Sequence, residues 1–394
     1  MNVLFLGLLY NRNDEKELIK KSKTGLQAAI NEYQWNFIDA LDYSKLKIDI
    51  LNVLPVGTFP RKYNQLFIKS KKWKYKNNDC IQIGSINLPV FKEFIRKNKI
   101  KKYLKQYISE HKNAKIILYS LYLPFLRAIS ELKQKGYNFE VITIIPDLPG
   151  KYGIYSKNKI YKLYQDYSQI TSFKLLKNVD KFILLTEHMN KIVNSDNKPY
   201  CIVEGIAKDI QHNSNKKNKI IYFYAGTLNK QYGLEEFINE FVDINNSSTE
   251  LWIAGRGELE EYVKKMSIAY TNIKYFGFLP KEEVLEKEIQ ATILVNPRKN
   301  EGEYTKYSFP SKILEYMATG TTILMNKLDG IPYEYYENVL LFDVSINKTL
   351  SEINAMPIEK IEEVGKKAKQ WIINNKEVKS ISEKICNFIE MDCK

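Results

Sequence analysis

Arg298, Lys312 and Glu315 stand close together in residues 296–320, a stretch that reads as strand exit, polar loop and helix. Two cations bordering one loop can face the same anion. A carboxylate three residues beyond the lysine can accept hydrogen bonds from a vicinal diol. Anion plus diol is what a nucleoside diphosphate offers, through its phosphates and its ribose. The same residues also read as an ordinary charged helix face, because surface ion pairs and caps are common.

The elements that must position them follow from pattern. Residues 291–295 are an apolar run, expected as a buried parallel strand. Ser308 precedes Phe309 and Pro310 and is expected as a helix N-cap with proline in the first turn. Ile313, Leu314, Met317 and Ala318 recur at helical spacing, and Gly320 is a natural C-cap. Residues 321–325 form the next strand. The helix N-terminus, with Ser311 and Lys312 at its start, supplies backbone N–H groups for an anion.

The same strand–loop–helix cycle recurs through the second half. Residues 220–225 lead into a loop bracketed by Gly226 and Gly233, with Thr227 and Lys230 inside it. Glycines there let backbone approach a ligand, and Lys230 can meet a phosphate. Residues 250–254 lead into Gly255-Arg256-Gly257, and residues 272–277 into Gly277-Phe278-Leu279-Pro280. In the first half, residues 3–9, 47–56, 115–119, 140–145, 181–185 and 200–203 read as strands. Residues 10–24 read as a polar loop, and Gly25 with Gln27 opens a helix running through Trp35 and Leu41. Asp147, between Pro146 and Leu148, stands just past the carboxyl end of a strand, where α/β sheets place ligands. It reads either as a group that orients an acceptor hydroxyl or as a plain turn carboxylate.

This order predicts an α/β protein with two Rossmann-like parallel-sheet domains facing across a cleft, and C-terminal helices. Residues 1–206 form the first domain and residues 207–375 the second, with a polar linker over 207–219. Helices are expected over 358–374 and 380–391, and the segment 376–394 is expected to return toward the first domain.

The 394 residues carry a net charge of +14. The excess lies in residues 1–205, with 35 Lys and Arg against 18 Asp and Glu, leaving 25 against 28 beyond. Three stretches, 69–76, 96–107 and 157–167, interleave basic and aromatic residues. Each reads singly as a solvated face. Together they suit an anionic membrane surface or a polyanionic acceptor. No helix-turn-helix, zinc-finger or RNP pattern is present, so no nucleic acid is expected. Four cysteines without a CxxC pair indicate neither zinc nor a disulfide framework. The three histidines, His111, His188 and His212, suggest no triad and no metal cluster. No apolar run reaches the roughly 20 residues of a membrane span, and residues 1–9 lack a basic n-region. A cytoplasmic protein, peripheral on the inner membrane face, is expected.

The series Tyr224-Ala225-Gly226-Thr227-Leu228, Ala254-Gly255-Arg256-Gly257, Gly277-Phe278-Leu279-Pro280, Asn296-Pro297-Arg298, Ser308-Phe309-Pro310-Ser311-Lys312, Glu315-Tyr316-Met317-Ala318-Thr319-Gly320 and Gly330-Ile331-Pro332 resembles family 4 glycosyltransferases of the GT-B fold. It is most similar to bacterial enzymes of capsular and other surface polysaccharide synthesis. The resemblance is strong over about residues 220–342. It is looser in the first half, through residues 25–35, 146–149 and 203–205.

The resemblance implies metal-independent transfer, with retention, from a nucleotide sugar (most readily a UDP-sugar) to a lipid-linked saccharide. Glu315 matches the glutamate that binds the donor ribose. Ser308, Ser311, Lys312 and Ile313 match the loop and helix start that contact diphosphate and sugar, and Gly226, Thr227, Lys230 and Arg256 the phosphate-side loops. Gly25 and Gln27 fall on the acceptor side. Asp147, Lys312 and Arg298 are the residues expected to take part in the chemistry. The chain also departs from the family. Tyr307 stands where the family has its first glutamate, Thr227 and Tyr232 stand where it has Arg and Lys, and Asp147 takes the place of a reaction-centre histidine. A catalytically silent scaffold and an anionic-polymer-binding protein remain as other readings.

Overall fold

Val3, Leu4, Phe5 and Leu6 are all completely buried, as a strand covered on both faces requires. A computed structural model describes residues 2–44, 46–149, 159–212, 219–244, 246, 248–343 and 345–391. The chain divides into two compact units, Met1–Ile206 with Val378–Lys394, and Ala207–Glu377.

In the first unit the strands are β1 (Asn2–Gly7), β2 (Lys47–Val53), β3 (Phe67–Ile68), β4 (Lys71–Tyr75), β5 (Asn78–Ile83), β6 (Ser85–Ile86), β7 (Lys115–Tyr119), β8 (Glu140–Ile145), β9 (Lys181–Leu184) and β10 (Tyr200–Ile202). Its helices are α1 (Glu15–Lys21), α2 (Ala28–Tyr43), α3 (Phe91–Glu110), α4 (Leu123–Lys133), α5 (Lys159–Leu175) and α6 (Glu187–Val193). Eight strands form one sheet in the order β10-β9-β8-β7-β1-β2-β5-β4. All pairs are parallel except β4 with β5. β3 and β6 form a small antiparallel ribbon.

Two expectations change here. Residues 10–24 are not all loop: α1 lies within them, burying Leu18. The basic stretch 69–76 is not a helix face but edge strand β4. Its period of two turns Trp73 and Tyr75 partly inward and leaves Lys72 and Lys74 exposed. Lysines on an edge strand discourage pairing with another chain. The second stretch lies on α3, but Arg96 is buried there. It donates to Ser85 Oγ (3.3 Å), Tyr122 Oη (3.1 Å) and the Leu54 carbonyl (3.2 Å). Of the third stretch, residues 157 and 158 lie outside the described residues.

The turn after central strand β1 is held by buried amides. Gln34 and Asn52 each bond both backbone groups of Leu8 and Leu9 respectively. Asn31 accepts from the Tyr10 N–H, and the Trp35 indole donates to the Tyr10 carbonyl. The C-terminal helix Val378–Glu390 packs on α2, joining Ile381, Ile385 and Ile389 to the core of Phe37, Ile38 and Leu41.

In the second unit the strands are β11 (Ile220–Ala225), β12 (Thr249–Ala254), β13 (Ile273–Tyr275), β14 (Ile293–Asn296), β15 (Thr322–Met325) and β16 (Leu340–Leu341). The helices are α7 (Leu234–Ile244), α8 (Glu260–Ala269), α9 (Lys281–Gln290), α10 (Lys312–Thr319), α11 (Ile346–Asn354) and α12 (Ile358–Lys376). The sheet is wholly parallel, in the order β13-β12-β11-β14-β15-β16. Strand order reverses between β11 and β14, so the loops leaving these two strands diverge and open a crevice at their carboxyl ends. Of the expected linker, Ala207 and His212 are tied to this unit through Lys376 and Thr319, and residues 213–218 lie outside the described residues.

Candidate active site

The loops after β11 and β14 meet at the crevice. Gly233 closes the first with φ +73°, and a Cβ there would fall 2.3 Å from the Pro297 carbonyl oxygen. Only glycine allows that approach. Gly226 is the first residue past β11, and its N–H donates to the Ala254 carbonyl at 3.0 Å. Thr227 is exposed, and its carbonyl accepts from Tyr224 Oη. Lys230 is exposed at the rim, its Nζ 3.8 Å from Glu235. Arg256, leaving β12, is exposed and lies over the Phe278 ring.

Arg298 stands between two rings, 4.8 Å from the Tyr304 centroid and 5.9 Å from that of Tyr232. Its Nη2 donates to Ser308 Oγ at 3.1 Å. Its Nε is buried, and among the described residues no partner meets it. Ser308 is therefore not the helix N-cap. A 3₁₀ segment, Glu303–Tyr307, fills the preceding loop, and α10 begins only at Lys312 with Ser311 as its N-cap. Ser311 is itself in a helical conformation and makes no side-chain cap bond, so the helix start keeps backbone donors for a ligand. Ile313 does not face a ligand: its side chain is completely buried and its N–H donates to the Pro310 carbonyl. Tyr307 is buried. Gly320 closes α10 in the left-handed conformation expected of it.

Lys312 holds the densest charge cluster of the site. Its Nζ is 2.7 Å from Glu315 Oε1 and 2.8 Å from Glu288 Oε1. Lys312 and Glu315 are partly exposed, whereas Glu288 is completely buried. Burial pushes the Glu288 carboxyl up, to about 7, against the pull of Lys312. Burial also pushes Glu315 up, but Lys312 outweighs it and holds that carboxyl below its usual range. Burial disfavours the Lys312 cation, yet Tyr316, Glu288 and Glu315 more than offset it and keep the lysine charged. Glu288 escaped sequence reasoning. Its signal was a carboxylate on the inner stripe of α9, four residues after Val284 and three after Leu285.

The structure thus groups Lys312 with Glu315, and Arg298 with Ser308, around the α10 entry. Asp147, Gly25 and Gln27 belong to the first unit. Asp147 is exposed just past β8. Gly25 has φ +76° and accepts from Ser22 Oγ. Gln27 is exposed before α2 and makes no side-chain cap bond.

Residues 206–378 match the family described as glycosyl transferases group 1. The match takes in the whole of the second unit. An uncharacterised glycosyltransferase of Methanocaldococcus jannaschii is 28% identical over 207 residues, 47% of this chain and 50% of that one. The match thus spans about half the length of that relative. Sucrose-phosphate synthase from Thermosynechococcus elongatus superposes with a TM-score of 0.64 at 14% identity, covering 98% of this chain and 97% of that chain. A trehalose-6-phosphate structure from E. coli, bound with UDP-2-fluoro glucose, gives 0.63 at 9% identity and covers 100% of both chains. The fold is GT-B, with parallel sheets and a helical C-terminal region, as the sequence pattern and motifs led us to expect.

Proposed function

We propose that this chain is a family 4 glycosyltransferase. It transfers a sugar, with retention and without a metal, from a nucleotide sugar to a lipid-linked saccharide in surface polysaccharide synthesis. The observation that carries the reading is the Lys312–Glu315 pair at the entry to α10, beside the strand-order reversal of the glycosyltransferase domain. Glu315 accepts the ribose hydroxyls, and Lys312, Arg298 and the α10 N-terminus face the diphosphate. The leaving phosphate oxygen takes the acceptor proton, and these cations and dipoles stabilise its growing charge. Asp147, from the first unit, orients the acceptor hydroxyl near Gly25 and Gln27, and Lys230 and Arg256 border the donor. A UDP-sugar is the favoured donor, in keeping with the UDP-2-fluoro glucose bound to the E. coli neighbour.

The acceptor side is assigned to an anionic membrane surface. What supports it is that two of the basic stretches meet in the first unit: Lys71 and Lys72 of β4 and Lys99 and Lys102 of α3 line one groove of about 470 Å³. Among the described residues, no helix is long and apolar enough to cross a membrane. Peripheral attachment at the cytoplasmic face fits that surface. Binding to anionic vesicles should weaken as salt rises, and salt-insensitive binding would contradict it.

Thermal unfolding with UDP, GDP, ADP, CMP and UDP-sugars, without added metal, tests the donor assignment. A rise in Tm with one nucleoside diphosphate is expected, since a ligand specific for the folded state stabilises it. No rise with any of them would favour a silent scaffold, the reading that buried Tyr307 in place of a glutamate keeps open.

A further inference from the structure

Glu288 has no contact with solvent, and nothing in the reading above uses it. Its Oε1 accepts from Lys312 Nζ at 2.8 Å, and among the described residues no donor reaches Oε2. The charged and titratable groups that face it are Lys312, Glu315 and Tyr316, all from α10. Thr321, before β15, reaches only its backbone carbonyl. Lys281, on its own helix, bears on Glu315 instead.

A fully buried carboxylate with an unmet oxygen is an expensive choice where a leucine would pack. Its side chain meets two groups, the Lys312 ammonium and the Glu315 carboxyl that the same ammonium holds. With Glu288 ionised, Lys312 is divided between two carboxylates and the cluster is net negative. With Glu288 protonated, the cluster is neutral and Lys312 has one carboxylate fewer to hold it. An incoming diphosphate favours the second state, because it adds negative charge beside the same lysine.

We propose that Glu288 is a positioning residue of the donor site, which takes up a proton from solvent as a diphosphate binds and thereby frees Lys312 to turn toward the phosphates. The proposal rests on the donor-site reading. It adds a proton to the binding equilibrium, and it assigns a function to a residue that touches no ligand. The carboxyl is poised for this near neutral pH, because burial has already raised it to about 7.

The experiment is calorimetric titration of the whole protein with UDP-glucose, whose diphosphate has no titration of its own near neutrality. It is run at about pH 6, 7 and 8 in buffers of differing ionisation enthalpy. GDP-mannose or ADP-glucose replaces it if only that donor stabilises the wild type. Should the diphosphate raise the carboxyl by about one further pH unit, affinity is about fivefold tighter at pH 6 than at pH 8, and roughly 0.4 proton is taken up at pH 7. Glu288→Gln should bind with a flat pH profile and no uptake, whatever its absolute affinity. An unchanged slope and uptake in Glu288→Gln would overturn the proposal while leaving the donor site standing. If that variant does not fold, zero proton uptake by the wild type overturns it equally. Absence of binding by the wild type to all three sugars at every pH defeats the donor-site reading itself, and the proposal with it.

Discussion

Gly330 and Ser308 meet backbone to backbone: a Cβ on Gly330 would fall 2.4 Å from the Ser308 carbonyl oxygen, and equally close to that of Thr305. The loop after β15 thus presses directly on the segment that carries Ser308 into α10. Asn300 and Asp329 tie the same two loops, with an amide donating to the Asp329 carboxylate at 2.7 Å. Gly330→Ala must push the 305–308 segment away, a cost of about 1–3 kcal/mol for overpacking. The expected outcome is a lower Tm together with weaker nucleoside diphosphate binding, because Arg298 is held by Ser308. An unchanged Tm and affinity would show that the contact carries neither.

Lys312 and Glu315 are assigned to different parts of one ligand, so their losses should differ in kind. Glu315→Ala is expected to weaken uridine and UDP alike, by about tenfold, as loss of hydrogen bonds to a charged group would. Lys312→Ala is expected to weaken UDP by about 10- to 100-fold and to spare uridine, which has no phosphate. Equal losses for both ligands in both variants would refute the division of labour. Paired titrations with the two ligands decide it.

How far the sequence could be read depended on whether a residue's environment is local. Strands β7, β8 and β11 fall where their apolar runs lie, because both faces of a parallel strand are buried and the run states it directly. The motif loops of the second unit were legible for a related reason: glycine and proline mark backbone that only they can adopt. Strand β4 was not, since three lysines hid the alternation of Trp73 and Tyr75. Asn31, Gln34 and Asn52 read as ordinary polar residues, yet each answers backbone groups of a turn that only the folded chain brings near. Glu288 is the sharpest case. Its burial makes sense only once Lys312, from another helix, stands beside it.

Glu250 offers a test by pH. Burial pushes this carboxyl up, but hydrogen bonds from Lys219 and Lys274, at 2.8 and 2.7 Å, and from the Trp252 indole bring it down to about 2. A carboxyl lower in the folded than in the unfolded chain stabilises above the unfolded value of about 4.5, and that stability is lost as pH falls toward 2. Both lysines are half-exposed, so screening limits the contribution to about 1–2 kcal/mol. Glu250→Gln should therefore cost about that much in urea unfolding at pH 7, and less than half as much at about pH 3. A cost independent of pH would mean that packing, and not the ion pairs, holds this edge of the sheet.

Lys181 is another buried charge, and its place is structural. It is completely buried, 2.6 Å from Glu140, and its ammonium donates to the carbonyls of Phe388 (3.2 Å), Ile389 (3.1 Å) and Met391 at the end of the C-terminal helix. A helix leaves its last carbonyls without intrahelical partners, and a cation there answers both the missing donors and the negative end of the dipole. Glu140 keeps Lys115 at 2.6 Å as a second partner, so Lys181→Met does not strand the carboxylate. It does take a donor from the Phe388 and Met391 carbonyls inside the unit, whereas that of Ile389 keeps Lys115. We expect a loss of about 1–3 kcal/mol and faster hydrogen exchange across residues 378–391, read by mass spectrometry. The Tm rise with nucleoside diphosphate should persist, because every residue assigned to the donor lies in the other unit. Unchanged exchange in 378–391 would mean that the apolar face of Ile381, Ile385 and Ile389 alone anchors this helix, with the buried lysine contributing nothing to its attachment.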